Sequence, residues 1–152
     1  MTRSELIDRM TVLLGGRAAE VAIVRQPTTG AADDLQRATE IARAMVTRYG
    51  MTTEVGQASF IAERPRYLEL PGTGANPAAA SEETSAAIDK ALSHLIDQAF
   101  ARATAILKLC EAVHREAAQR LLEKETLVAD ELAAISEAVR QCVKGKLEPS
   151  AS

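Results

Sequence analysis

From Glu82 to Cys110 the chain carries a stripe of apolar residues at helical spacing: Ile88, Leu92, Leu95, Ile96, Ala99, Ala103, Ile106, Leu107 and Cys110. No proline or glycine interrupts it. Residues spaced three and four apart share one face of an α-helix, so this stretch predicts a long helix with an apolar seam. Such a seam is stable only when other elements cover it. The rest of the chain offers the same pattern in shorter pieces: Leu6, Met10, Leu13 and Leu14; Leu35, Ala38, Ile41, Ala42, Met45 and Val46; Val113, Ala117, Leu121 and Leu122; Leu132, Ile135 and Val139. The expectation is a mainly α single domain, a size that 152 residues fit.

Local signals set the boundaries. Thr2 and Glu5 form a capping-box pattern ahead of the first stripe. Gly15 and Gly16 interrupt good helix formers, at a cost of roughly 1 kcal/mol each, and suggest a close backbone contact or a break. Pro27 predicts a helix end near Arg25. A second helix is expected from about Thr29-Gly30, with Asp33 and Asp34 in its first turn, Arg43 and Arg48 towards its end and Gly50 as its stop. Residues 51–80 hold Gly56, Pro65, Pro71, Gly72, Gly74 and Pro77 and read as an irregular insert, with a short strand at 57–62 and a mobile loop at 70–80. Ser81 reads as the N-cap of the long helix. Turns are expected between Cys110 and Val113 and at Glu125-Thr126. The domain is therefore assigned to residues 1–143, with a frayed tail over 144–152.

Composition removes several classes of function. The net charge of −3 argues against binding nucleic acid through phosphates. Aromatics at 3% and the absence of Trp argue against base-stacking platforms. The two cysteines, Cys110 and Cys142, have no C-x-x-C spacing, so neither a disulfide scaffold nor a cysteine zinc finger is expected. No run approaches the ~18 apolar residues of a membrane span. Residues 1–8 carry Arg3, Glu5 and Asp8 and lack the apolar run of a signal peptide.

The residues alone offer few candidates for chemistry. Asp33-Asp34 has two readings: a metal ligand or base at a helix start, or plain complements to the helix dipole. His94 and His114 lie twenty positions apart, and neither has a second histidine one turn away, so no two-histidine zinc helix exists within this sequence. Structural or solvated roles are expected for both. There is no G-x-S-x-G elbow and no phosphate-binding G-x-x-x-x-G-K-[ST] loop.

Three ordered segments narrow the choice. They are Leu14-Gly15-Gly16-Arg17-Ala18-Ala19-Glu20, Thr28-Thr29-Gly30-Ala31-Ala32-Asp33-Asp34-Leu35, and Ala38-Thr39-Glu40-Ile41-Ala42-Arg43-Ala44-Met45-Val46 with Gly50-Met51 beyond it. Together they resemble the C-terminal part of the protease domain of the FtsH family, membrane-anchored ATP-dependent zinc metalloproteases. Ser81-Glu82-Glu83-Thr84, Ile88-Asp89 and Leu121-Leu122-Glu123-Lys124-Glu125-Thr126 resemble the family's later helices. The resemblance covers residues 4–137.

The resemblance implies a share in a zinc site. The family binds zinc through two histidines of an H-E-x-x-H helix and a distant aspartate that follows shortly after a Thr-Gly-Ala type motif. By this resemblance the aspartate falls on Asp34, with Asp33 as the weaker alternative. Two imidazoles and a carboxylate leave a fourth zinc position for water, whose proton the motif glutamate takes. This sequence has no H-E-x-x-H, so both histidine ligands and the catalytic glutamate are expected upstream, as are the ATP-binding AAA+ module and the membrane anchors. The role implied for the chain is a piece of an ATP-dependent zinc metalloendopeptidase that supplies Asp34 and a helical scaffold. By itself it is expected to be inactive and to bind zinc weakly. Unfolded or membrane proteins as substrates, a homohexameric ring and a place on the cytoplasmic face of a membrane are implied for the parent protein. The alternative is an autonomous, inactive protease-like module used for binding or assembly. The sequence departs from the family at residues 21–26, which usually include acidic residues, an aromatic and a glycine, at Val55-Gly56-Gln57, and through 64–80.

Overall fold

The computed structural model describes residues 1–53, 55 and 82–147. Six α-helices are present among these residues, and no strand. The strand expected at 57–62, the loop at 70–80 and the Ser81 cap lie outside them.

Helix α1 (Arg3–Leu13) starts as its capping box dictates. The Thr2 hydroxyl accepts the Glu5 N–H at 3.2 Å, and the Glu5 carboxylate accepts the Thr2 N–H at 2.6 Å. Helix α2 (Gly15–Ala19) follows after Leu14 alone. Leu14 N–H still reaches the Met10 carbonyl and Ala18 N–H the Leu14 carbonyl, both at 2.9 Å, so the chain barely deviates at the glycine pair. A Cβ on Gly15 or Gly16 would meet no described atom within 4 Å. Of the two expectations for the pair, the structure shows a slight break and no close contact among the described residues.

The helix then widens into a π-helical turn over Glu20–Val24 and stops at Arg25, which takes the left-handed conformation at φ 60°. This conformation favours glycine, and it falls within residues 21–26, where the sequence departs from the family. Thr28 is extended and caps a short 3₁₀ turn (Thr29–Ala31) that leads directly into α3 (Ala32–Thr47). At the far end of α3, Gly50 at φ 57° reverses the chain so that the Met51 N–H reaches the Met45 carbonyl at 3.0 Å.

Helix α4 (Glu82–Leu109) is the long helix expected from the stripe. It packs against α1, α2 and α3. The core is built from Leu6, Ile7, Met10 and Leu14 of the first segment, Ala38, Ala42, Met45 and Val46 of α3, and Ile88, Ala91, Leu95 and Ala99 of α4. The alanines at these crossings let the helix axes approach, while Met10, Met45 and Leu95 fill the space between them. An exposed ion pair, Arg102 to Asp8 at 2.7 Å, joins α4 to α1.

Cys110 makes the expected turn and opens α5 (Glu111–Lys124). Glu125 at φ 59° ends it, and α6 (Ala129–Leu147) returns as its partner. Glu131 accepts the Val128 N–H at 3.1 Å and an ion pair from Lys124, which ties the two ends of the turn together. The Cys110 thiol, itself buried, lies 3.9 Å from the Val139 carbonyl on α6. Helix α6 continues to Leu147, past Lys144 where the sequence places the start of a tail. No residue of α5 is buried, and none of residues 129–144 is. Among the described residues no helix is long and apolar enough to cross a membrane.

Candidate functional site

The second motif segment is held by the first. In the helix of α2 and the π-turn, Arg17 and Glu20 stand three residues apart and pair at 3.2 Å. The Glu20 carboxylate then reaches Thr28, eight positions on, with both oxygens. Oε1 accepts the Thr28 hydroxyl and Oε2 accepts the Thr28 N–H at 3.1 Å. The Arg17 guanidinium donates to the Thr28 carbonyl at 3.2 Å. The Thr28 hydroxyl in turn accepts the Gly30 N–H at 3.1 Å. Every polar group of Thr28 is thus engaged. A Cβ at Gly30 would sit 3.3 Å from the Thr28 hydroxyl, a close approach that the glycine avoids.

The same hydrogen bonds act on the charge of Glu20. The Thr28 hydroxyl, the Thr28 N–H and then Arg17 hold its carboxyl below the ordinary value of 4.5. Glu5 is lowered by its bonds to Thr2, and Glu131 by Lys124 and the Val128 N–H. All three bind a proton less readily when folded than when unfolded. They therefore contribute stability above pH 4.5 that is lost as the pH falls through their folded values. Thermal unfolding followed by circular dichroism is expected to hold a level midpoint from about pH 7 to about pH 5 and to fall below it. The fall should be shallower in Glu20→Gln; an identical pH profile in that variant would show that Glu20 makes no such contribution.

The held segment delivers Asp33 and Asp34 to the first turn of α3. The structure separates the two. Asp34 is half-buried and stands one turn ahead of fully buried Ala38, on the edge of the helix face that enters the core. Asp33 is exposed, in line with exposed Arg37. No three His, Cys, Asp or Glu side chains gather into a metal-holding group among the described residues. His94 lies on the exposed side of α4, and His114 is half-buried on α5.

A cleft of about 470 Å3 runs beside α3, bordered by Arg17, Thr28, Ala32, Gln36, Thr39 and Arg43 among others. At about 100° per residue, Ala32, Gln36, Thr39 and Arg43 share one helix face and Asp34 projects from the other side. The cleft and the carboxylate are therefore separate features, with the Thr28 segment between α2 and α3 bordering the cleft.

The contacts of Glu20 with Thr28 are geometry that sequence reasoning does not find. Both residues lie within the first two motif segments, but their partnership spans a left-handed turn that periodicity does not register.

Comparison with known proteins points the same way. Residues 1–135 match the family model "Peptidase family M41". The chain is 47% identical over 136 residues to the ATP-dependent zinc metalloprotease FtsH of Paraburkholderia phymatum, covering 89% of this chain and 21% of that protein. It is 41% identical to FtsH 2 of Bdellovibrio bacteriovorus, covering 87% of this chain and 22% of the relative. It is 38% identical to FtsH of Thermus thermophilus, covering 90% and 21%. The chain thus spans about a fifth of the length of these relatives. With the helical core, the motif segments and this similarity in agreement, the chain belongs to peptidase family M41, the family of the FtsH zinc metalloproteases.

Proposed function

We propose that this chain acts as the downstream part of the peptidase domain of an ATP-dependent zinc metalloendopeptidase, and that Asp34 is its zinc ligand. The observation that carries this reading is the placement of Asp34: a half-buried carboxylate in the first turn of α3, at the end of a segment whose start is tied down by side chains. A carboxylate is a suitable hard oxygen donor for zinc, and a helix start gives it a set direction. The donor set within the chain fits one arm of a three-ligand site, with two imidazoles to come from outside residues 1–152. One carboxylate does not hold catalytic zinc tightly, so the chain alone is expected to bind the metal weakly and to leave peptides uncut.

When bound, zinc supplies an activated water and polarises the scissile carbonyl. This chain's residues do something simpler. Asp34 presents an oxygen, Thr28 and Glu20 hold its segment, and α1, α3 and α4 form the rigid support. The AAA+ module, membrane anchors, hexameric ring, and unfolded or membrane protein substrates on the cytoplasmic side belong to the same proposal for the whole protein.

An immunoblot of the source cells, with an antibody raised against residues 81–140, tests the whole-protein part. The expected band is several times larger than 16.2 kDa. A band at 16.2 kDa would remove the protease reading and favour an inactive binding module.

A further inference from the structure

Glu20 and Asp34 are both acidic side chains of the motif segments, and the structure gives them different work. Both Glu20 oxygens are committed to Thr28, and Oε2 also receives Arg17. A carboxylate so engaged and charge-paired keeps only one of its roughly four lone-pair sites uncommitted, so it is a poor metal ligand. Its effect falls on the chain downstream of Thr28.

We infer that Arg17, Glu20 and Thr28 form a clasp that positions the Asp34 carboxylate for metal binding, which makes them positioning residues of that site. The inference rests on Asp34 being the zinc ligand, and it goes further by assigning roles to three residues that touch no metal. Thr28 is fixed through its N–H, carbonyl and hydroxyl at once. From Thr28 onward the backbone is committed: the Gly30 N–H bonds back to the Thr28 hydroxyl, residues 29–31 form a 3₁₀ turn, and α3 begins at Ala32. Ala31 is buried and Ala38 anchors the next turn in the core. The direction of the Asp34 side chain is therefore set at one end by the core and at the other by the clasp. Supports of this kind around a metal ligand typically matter by roughly 10–100-fold in affinity.

The test uses the full-length protein, with zinc affinity measured by competition against a chelator at a temperature well below the unfolding midpoint. Thr28→Val removes the hydroxyl at constant shape and is expected to weaken zinc binding by roughly 10–100-fold. Thr28→Ser restores the hydroxyl and should bring affinity back to near the parental level, a recovery that a merely structural role would not require. Glu20→Ala should match or exceed the Thr28→Val loss; if it fails to fold, the two Thr28 variants still decide. A second readout needs no metal. In the 152-residue chain, amide hydrogen exchange at Gly30 should quicken in Thr28→Val and recover in Thr28→Ser. If Asp34→Ala loses zinc while Thr28→Val binds it like the parent, the clasp is overturned and the ligand reading stands. If Asp34→Ala binds zinc unchanged, both fall.

Discussion

Asp34→Ala in the full-length protein is expected to lower zinc affinity by more than roughly 100-fold, beyond the range for supporting residues, and to abolish proteolysis with it. The fold should survive the change. Asp34 lies on the rim of the core and has no share in its apolar cluster, so the unfolding midpoint of the metal-free protein should move little. Asp33→Ala, one position away on the exposed side, is the control and should leave zinc binding near the parental level. The reverse pattern, with loss in Asp33→Ala and none in Asp34→Ala, would move the ligand assignment to Asp33. Zinc content by mass spectrometry, measured beside chelator competition, separates lost binding from lost turnover.

The second large effect is on stability. Leu95 is 1% exposed and sits in the apolar cluster that α4 forms with α1 and α3. Leu95→Ala removes its packing and leaves a cavity, with an expected cost of about 2–5 kcal/mol in denaturant unfolding. Leu122 offers the contrast, because it is 83% exposed on α5. Leu122→Ala should change stability by no more than about 0.5 kcal/mol. Equal losses at the two positions would mean that α5 is covered by protein outside this chain.

Much of the frame is legible in the sequence, for identifiable reasons. The stripe from Ile88 to Cys110 is long and unbroken, and helix α4 follows it. Thr2 and Glu5 are three residues apart, so their reciprocal bonds are written locally. Gly50 stops α3 because few other residues accept its φ of 57°. The glycine pair at 15 and 16 is ambiguous, since a contact and a break leave the same mark. The π-turn is hidden because Val21, Ala22, Ile23 and Val24 are all apolar and show no period. The bond from Glu20 to Thr28 is invisible for a different reason. It connects residues eight apart across the left-handed Arg25, and spacing rules describe only regular elements. Asp33 and Asp34 look alike in the sequence because both suit a helix dipole. Their difference in burial depends on which face of α3 meets α4, which is a tertiary fact.

The hairpin of α5 and α6 has a consequence for how this molecule comes apart. Between Glu111 and Lys144 its apolar residues are half-buried at best, while the core of α1, α3 and α4 is sealed. Stability is therefore graded along the chain: the C-terminal pair can open while the segment bearing Asp34 stays intact, and its amides should exchange through small local openings long before those of α3 and α4 do. Among the described residues, the helices beyond Cys110 are thus the part most readily unfastened from the rest.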